Sequence, residues 1–142
     1  MTEEHAKLLL KDLSSRLPYG VKLQVSSWDD EKMEYVDKAD TLYSISSDGH
    51  VRTSSEDRDF YIDEVKPYLF PMSSMTEEQR AEYESLCIKE TSEYSDLYGI
   101  IFAKDHYYDT IESIDYLYKN HIDVRGFIPN GLAIDATGLG IY

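Results

Sequence analysis

The alternation of apolar and polar residues after position 20 constrains the fold more than any other feature of the chain. Val21, Leu23 and Val25 alternate with polar residues, which is the period-two pattern of a strand with one buried face. Further short runs that favour strands follow at residues 33–36, 41–46, 51–53 and 60–65. Because these runs follow one another closely, the sequence predicts about five strands in an antiparallel meander, which could close into a small SH3-like barrel.

Two turns connect these strands in the order that a meander requires. Asp48 and Gly49 are typical of a two-residue hairpin turn of type I′, in which both central positions need positive φ. The charged run at 29–32 is expected to reverse the chain after the first strand. Since both connections are short, we expect neighbouring strands to pair antiparallel.

An N-terminal helix is expected before the first strand. Leu9 and Leu13 lie at helical spacing, and Thr2 can accept a hydrogen bond from the first-turn amides as N-cap. The helix is expected over residues 3–17, because the Pro-Tyr-Gly sequence at 18–20 cannot continue it.

Two further helices are expected in the second half of the chain. A Thr-x-x-Gln pattern at Thr76 predicts a capping box and a helix over residues 77–89. An Asp-x-x-Glu pattern at Asp109 predicts a second capping box and a helix over residues 110–120. Between them, residues 99–103 are expected to form a short buried strand or a connector.

These elements predict an α+β fold with an N-terminal helix, a small antiparallel β-meander and a helical C-terminal lobe. Pro67 and Pro71 bracket an apolar segment, and proline cannot donate a hydrogen bond within a central strand. We therefore expect a hinge that separates residues 1–71, the helix and meander, from residues 72–142, a helical lobe with short extended C-terminal pieces. The two lobes could also form a single compact domain.

The acidic charge restricts the kinds of partner that the chain can bind. The chain has 28 acidic and 14 basic residues and a formal net charge of −14. Phosphate groups need clustered Lys and Arg, so direct binding to nucleic acid or to an anionic membrane is not expected. The charge favours a protein partner with a basic surface, or it serves solubility alone. No cofactor is expected, and the oligomeric state stays open.

The location expected from the sequence is the cytoplasm. No apolar run approaches the roughly 20 residues of a membrane-spanning helix. The first residues are acidic, whereas the start of a secretory signal is basic. The single cysteine, Cys87, fits a reducing compartment, and we interpret it as a small core residue of a helix rather than as a nucleophile.

Tyrosines and acidic residues interleave between Glu93 and Tyr118. The tyrosines are Tyr94, Tyr98, Tyr107, Tyr108, Tyr116 and Tyr118, and the acids are Glu93, Asp96, Asp105, Asp109, Glu112 and Asp115. Tyrosine offers a large rigid contact area, and acids around it steer a basic partner, so the pattern predicts a protein-binding face. The alternative is that the tyrosines fill the chain's own core, in which case they are buried. The scarcity of Lys and Arg argues against base stacking.

A second candidate site follows the last predicted helix. Arg125 could bind a carboxylate or a phosphate, with His121 and Asp123 as its neighbours. The alternative is that Arg125 pairs with nearby acids and His121 caps helix carbonyls. A metal set of His106, Asp109, Glu112 and His121 is conceivable, but it lacks any known metal-binding spacing, and no metal site is expected.

Three separate stretches of sequence carry a resemblance. They are residues 9–13 with 16–22, residues 65–78, and residues 115–117 with 121–133. The middle stretch, with Lys-Pro-Tyr-Leu followed by Pro-Met-Ser-Ser-Met-Thr, is the most specific. Together they resemble a group of uncharacterised proteins from Bacteroides and related gut bacteria, commonly encoded in phages, prophages and mobile elements. The last stretch departs from the group at Ile122 and Val124, where aromatics are expected. The resemblance implies a phage or mobile-element origin and no catalytic residue.

The function expected from these observations is non-enzymatic. The chain is interpreted as an acidic accessory protein of a phage or mobile element that binds another protein. In the sharper version it inhibits a host nucleic-acid-binding or defence factor, with its carboxylates in a basic groove. Two alternatives stay open: a small-molecule-binding or hydrolytic protein with a His/Asp/Arg pocket, and a structural component of a virion or element-encoded complex.

Overall fold

The computed structural model describes all residues from Met1 to Tyr142 and confirms a mixed α+β fold with an N-terminal helix and antiparallel-rich sheets. The helices are α1 (Glu3–Arg16), α2 (Glu77–Leu86) and α3 (Ile111–Lys119). The strands are β1 (Lys22–Asp29), β2 (Glu34–Ile45), β3 (Val51–Thr53), β4 (Asp59–Phe60), β5 (Lys66–Leu69), β6 (Ile88–Ser95), β7 (Ile101–Tyr108) and β8 (Ile134–Asp135). No helix combines the length and the apolar character that crossing a membrane requires.

Six strands form one sheet in the order β4-β3-β2-β1-β5-β8. The first five pair antiparallel, and β8 joins β5 in parallel. The sheet is open, with β4 and β8 at its two edges, and does not close into a barrel. Along β1, Val21 and the inward-facing Leu23 and Val25 are buried, as the alternation predicts.

The second strand is longer than the sequence indicates. Residues 33–36 and 41–46 suggest two strands, yet β2 runs unbroken from Glu34 to Ile45. The polar residues between the two apolar runs hide this continuity. One of them, Asp40, is buried and accepts hydrogen bonds from the hydroxyls of Ser54 and Ser55. Although burial alone would raise it, these hydrogen bonds hold the pKa of Asp40 below its ordinary value.

The hairpin between β2 and β3 is present, but its turn is not of type I′. Only Gly49 has positive φ, at 86°, and its amide donates to the Ser46 carbonyl at 3.0 Å. The turn is therefore a three-residue loop that ends in a left-handed glycine. The Asp48 side chain explains the difference, because it accepts a hydrogen bond from the Ser46 hydroxyl and holds its own backbone in the ordinary region.

The segment around Pro67 is a strand of the sheet and not a hinge. Residues 66–69 form β5, which lies between β1 and β8. Pro67 is tolerated because it precedes Tyr68 and Leu69, the two residues of β5 that pair with β8. β5 therefore links strands from residues 1–71 to β8 of the second half within one sheet.

One hydrophobic core joins both halves of the sequence. Leu9 and Leu13 of α1 pack onto the sheet, and Phe127 and Leu132, from the segment after α3, belong to the same core. A smaller cluster under α3 contains Leu117, Met75 and Ile122. The core therefore depends on residues from both predicted lobes.

The capping boxes start the two C-terminal helices. Thr76 accepts from the Gln79 amide at 3.1 Å, and the Gln79 side chain accepts from the Thr76 amide, as predicted. In α3 the N-cap is Thr110 and not Asp109, because the Ser113 amide donates to the Thr110 hydroxyl at 3.0 Å. Helix α2 ends at Leu86, earlier than expected, since Cys87 is extended and leads directly into β6.

Strands β6 and β7 form a hairpin that stands apart from the six-stranded sheet. They pair only with each other, in a register that runs from Ile88 opposite Tyr108 to Ser95 opposite Ile101. We call residues 88–108 the arm. Residues 99–103 were expected to form a short buried strand or a connector. Instead, Gly99 lies in the exposed turn of the arm, and residues 101–103 are the exposed start of β7.

Candidate protein-binding site

The arm exposes apolar side chains that the chain does not cover. Every residue of β6 is exposed, and in β7 only His106 is partly buried. The exposed fraction is 100% for Leu97, 89% for Tyr98 and 70% for Ile101. Isolated exposed apolar residues are ordinary, but a contiguous set on one element marks an interaction surface.

The two faces of the arm carry different side chains. One face presents Ile88, Tyr94, Phe102 and Tyr108, as the pairing register shows. Tyr94 and Phe102 lie directly opposite each other, and their rings stack at 5.5 Å. The other face presents Tyr107 and Ile101 among charged and small residues. Aromatic side chains are thus available on both sides of a thin element.

The tip of the arm is ordered by a single carboxylate. Asp96 accepts hydrogen bonds from the amides of Tyr98 and Ile100, both at 2.9 Å. Gly99 follows with a φ of 77°, a value that favours glycine. Asp96 is therefore committed to the turn, and its side chain is not free to pair with a partner.

The acids of the arm fall into two groups. Asp105 accepts from the Thr91 hydroxyl at 2.7 Å and lies 3.4 Å from the Lys89 ammonium. The hydrogen bond from Thr91, with Lys89 nearby, lowers the pKa of Asp105. Glu90 and Glu93 are exposed and make no ion pair within the chain. Only this second group is free for a partner.

The interleaved tyrosines divide between surface and core. Tyr94, Tyr98, Tyr107 and Tyr108 are exposed on the arm. Tyr116 is half-buried on α3, and Tyr118 is buried, with the Arg16 guanidinium 4.8 Å from its ring centre. Core filling therefore accounts for Tyr118 but not for the four tyrosines of the arm.

A groove lies at the base of the arm, where β7 leads into α3. Its volume is about 740 Å³, and its lining includes Asp109, Ile111, Ile114, Asp115 and Tyr118. Ile111 is 86% exposed. Glu112, beside it, is also exposed. An apolar floor with carboxylates around it suits the aliphatic stem and charged end of a Lys or Arg side chain.

The second candidate site, after α3, is part of the internal scaffold. Asp123 is buried, and its two oxygens accept from the amides of Phe127 at 2.8 Å and Ile128 at 2.9 Å. Arg125 lies 3.5 Å from the buried Asp12 of α1, an acid that is distant in the sequence. Asp123 thus folds the C-terminal segment onto itself, and Arg125 joins that segment to α1.

A buried arginine completes this scaffold. Arg16 is fully buried and binds Asp12 at 2.6 Å and the Ile122 carbonyl at 2.7 Å. Such a pair is costly to break, because either charge alone would remain buried without compensation. The pair joins α1 to the chain just after α3.

His121 stacks against the last aromatic ring of the chain. The rings of His121 and Tyr142 lie 3.8 Å apart, and the Tyr142 hydroxyl donates to the Tyr68 carbonyl at 2.7 Å. Burial, with a smaller contribution from the positive charge of Arg16, lowers the pKa of His121 to about 4. Burial also raises the pKa of Tyr142 to about 12. Near neutral pH both groups are uncharged.

The residues of the conceivable metal set do not converge. His106 lies on the arm, whereas His121 stacks on Tyr142. Asp109 accepts hydrogen bonds from the hydroxyls of Tyr83 and Ser113. No three His, Cys, Asp or Glu side chains are arranged to hold a metal ion.

Sequence reasoning missed the apolar residues of the arm. Ile88, Leu97, Ile101 and Phe102 are exposed, yet they were not among the candidate binding residues. The signal that could have found them is the Asp-Leu-Tyr-Gly sequence at 96–99, which is typical of a hairpin turn between two strand-forming runs. Neither run alternates clearly in polarity, because neither has a buried face.

Comparisons with known proteins add no relative to this description. No protein-family model matches the chain, no curated protein matches it, and no solved structure matches it.

Proposed function

We propose that the protein is a non-enzymatic accessory protein of a phage or mobile element, and that it binds another protein through the arm and the adjoining groove. The observation that carries the proposal is the exposure of the arm's aromatic and aliphatic side chains. A monomer gains nothing from ordering such a surface, whereas a partner that covers it gains buried area. The resemblance to the Bacteroides mobile-element group supports the proposed origin.

The charge of the chain favours a partner with a basic surface. Glu90, Glu93 and Glu112 are exposed around the aromatic surface, and Asp109 and Asp115 line the groove. A net charge of −14 accelerates encounter with a basic protein and disfavours an acidic one. A host nucleic-acid-binding or defence factor has such a basic surface, and occupation of that surface would inhibit it.

The experiment is capture of the partner followed by a measurement of rates. The tagged protein is used to capture partners from a Bacteroides lysate, which mass spectrometry identifies. Y108S should weaken capture, because Tyr108 is exposed and directly precedes Asp109, which lines the groove. Y43S, which removes an even more exposed tyrosine from β2, is the control and should capture normally.

The purified partner then tests the role of charge. E90K/E112K should slow association by about tenfold at low salt, and the effect should fade as salt is added. E31K/E34K makes the same change in net charge at exposed positions near the β1–β2 turn and should have a smaller effect. Asp96 and Asp105 are left unchanged because they hold the arm together. Equal association rates for all variants would contradict electrostatic recognition by this surface.

A further inference from the structure

The outer edge of β6 is an unpaired strand edge with a self-complementary sequence. Strands β6 and β7 pair with each other alone, so each has one free edge of backbone donors and acceptors. The Asp96 amide donates to the Ile100 carbonyl across the turn. Since bonded pairs alternate along an antiparallel ladder, Lys89, Thr91 and Glu93 direct their amides and carbonyls to the free edge. A free edge of this length is a template for another strand.

We infer that two copies of this protein pair through the β6 edges of their arms, antiparallel and centred on Thr91, to form a four-stranded intermolecular sheet. A two-fold axis perpendicular to the sheet places Thr91 opposite Thr91 of the second copy. It then places Lys89 opposite Glu93 of the second copy. By symmetry Glu93 lies opposite Lys89 of the second copy, so that two pairs of opposite charge form. On the other face, Ile88 lies opposite Tyr94 of the second copy. The residues that would form hydrogen bonds between the two copies are Lys89, Thr91 and Glu93, whose amides and carbonyls point to the free edge.

Neighbouring registers of β6 are less favourable. Centring on Glu90 or on Glu93 would place like charges directly opposite each other, which is destabilising. Centring on Ser92 places Lys89 opposite Ser95 and Glu93 opposite Thr91, so neither of these charges has a partner of opposite sign. The Thr91 register is thus the one in which the charge pattern of β6 complements itself.

The free edge of β7 does not offer the same match. Its two charges, Lys104 and Asp105, are adjacent in sequence. In a two-fold antiparallel pair a residue can face only those residues that lie on the same face of the strand. Lys104 therefore cannot face Asp105 of a second copy, and centring on either one opposes like charges. The charge pattern selects β6 as the dimer edge.

The tip of the arm supports the same arrangement. Antiparallel pairing brings the tip of each arm to the base of the other. At that base, a depression of about 390 Å³ is lined by Ala81, Glu84, Ser85, Cys87, Lys89 and Tyr107. Leu97, which is fully exposed in one chain, reaches this region of the second copy. Contact there would bury an apolar side chain that the single chain leaves in water.

The dimer goes beyond the proposed function and does not depend on it. It uses the β6 edges and the tips, which meet the second copy beside Tyr107, and it leaves the face of Tyr94, Phe102 and Tyr108, the β7 edge and the groove at Ile111 open. A dimer would present two such surfaces together and increase avidity for a multivalent partner. Failure to capture a partner would leave the dimer unaffected, so the two proposals fail separately.

Sedimentation equilibrium of the full chain tests the inference. We expect the apparent mass to rise from 16.5 kDa towards twice that value as the concentration increases to about 200 µM. E93K should weaken the dimer by about tenfold or more, because it places like charges opposite each other twice. K89E does the same and in addition removes the ion pair of Lys89 with Asp105 inside the arm. The exchanged variant K89E/E93K should recover most of the loss. E90K, which faces Ser92 of the second copy, is the control with the same charge change as E93K and should dimerise normally.

Cross-linking tests the register itself. In a C87S background, T91C should form an intermolecular disulfide on mild oxidation, because paired residues at the centre lie within reach of a disulfide. C87S/S92C should cross-link far less. A wild-type chain that stays at 16.5 kDa throughout would overturn the inference. So would a dimer that is insensitive to K89E and E93K and gives no cross-link at position 91.

Discussion

His121 holds a backbone conformation that few side chains adopt. Its φ is 60°, and it directly follows the C-cap of α3. Its amide donates to the Tyr118 carbonyl at 3.1 Å, and the Ile122 amide donates to the Leu117 carbonyl at 2.9 Å. These two bonds define a Schellman motif, in which glycine is the usual residue at this position. The stacking of its ring on Tyr142 accounts for a histidine here.

The buried imidazole predicts a pH dependence of stability. In the unfolded chain His121 takes up a proton near its ordinary pKa of about 6.5, whereas the folded pKa is about 4. As the pH falls from 6.5 towards 4, the unfolded state gains a proton that the folded state does not, so the free energy of unfolding decreases. Urea unfolding across this range measures the slope.

The variant H121N isolates this contribution. Asparagine tolerates positive φ and does not titrate, so the variant should keep the end of α3 while its stability falls less steeply over pH 4–6.5. Its stability above pH 7 should be lower than that of the wild type by a constant amount, because the stacking on Tyr142 is lost. Identical slopes for the two proteins would show that His121 titrates normally in the folded chain.

At the scale of the elements, the side-chain caps decide where the C-terminal helices begin. Thr76 caps α2 through the Gln79 amide, and Thr110 caps α3 through the Ser113 amide. Thr110 also donates its hydroxyl to the Leu86 carbonyl at 2.6 Å, which ties the two ends of the arm together. The same side chain thus starts a helix and closes the base of the arm.

Removal of these hydroxyls should destabilise the fold by different amounts. T76A is expected to cost about 1 kcal/mol through the lost N-cap. T110A should cost more, because it also removes the bond to Leu86. T76S and T110S retain the hydroxyl and are the matched controls. Thermal melts measure all four, and equal melting temperatures for T110A and T110S would contradict the assignment of Thr110 as the cap.

The sequence predicted elements that are defined by local spacing rules. The period-two pattern of β1 and the capping box of α2 follow from rules of local spacing, and the structure confirms both. β5 was missed because tertiary pairing tolerates Pro67 at a place where the local rule excludes it. The arm was missed because both of its faces are exposed, so no alternation in polarity marks its strands.

At the scale of the whole molecule, the charge limits what the surface can bind. The net charge of −14 arises from acids spread over the entire sequence. Several of the basic residues are already engaged: Arg16 and Arg125 with Asp12, Lys38 with Glu56, and Lys89 with Asp105. The remaining Lys and Arg side chains are outnumbered by acids, which repel a phosphate backbone.

The isolated protein should therefore not bind duplex DNA near physiological salt. The expected result is an unchanged fluorescence anisotropy of a labelled duplex at protein concentrations up to about 100 µM, since no cluster of Lys and Arg is available to neutralise phosphates. A basic DNA-binding protein serves as the positive control. A saturable rise in anisotropy in the micromolar range would contradict this prediction.

The candidate site could be predicted only in part. The interleaving of acids and tyrosines located the arm's residues Glu93 to Tyr108, because composition alone carries that signal. The intrachain hydrogen bonds of Asp96, Asp105 and Asp123 could not be predicted from the sequence. Each depends on a backbone or hydroxyl group that folding brings close. The groove at Ile111 depends on the relative placement of α1 and α3, which no local pattern encodes.

The arm leaves the core of the molecule and returns to it at adjacent points, Ile88 and Tyr108. None of the exposed side chains of β6 belongs to the hydrophobic clusters that hold the rest together. A substitution in β6 therefore removes no side chain from these clusters. Substitutions in the arm change what it contacts at little cost to the core, and we expect this segment to diverge faster among relatives than the six-stranded sheet does.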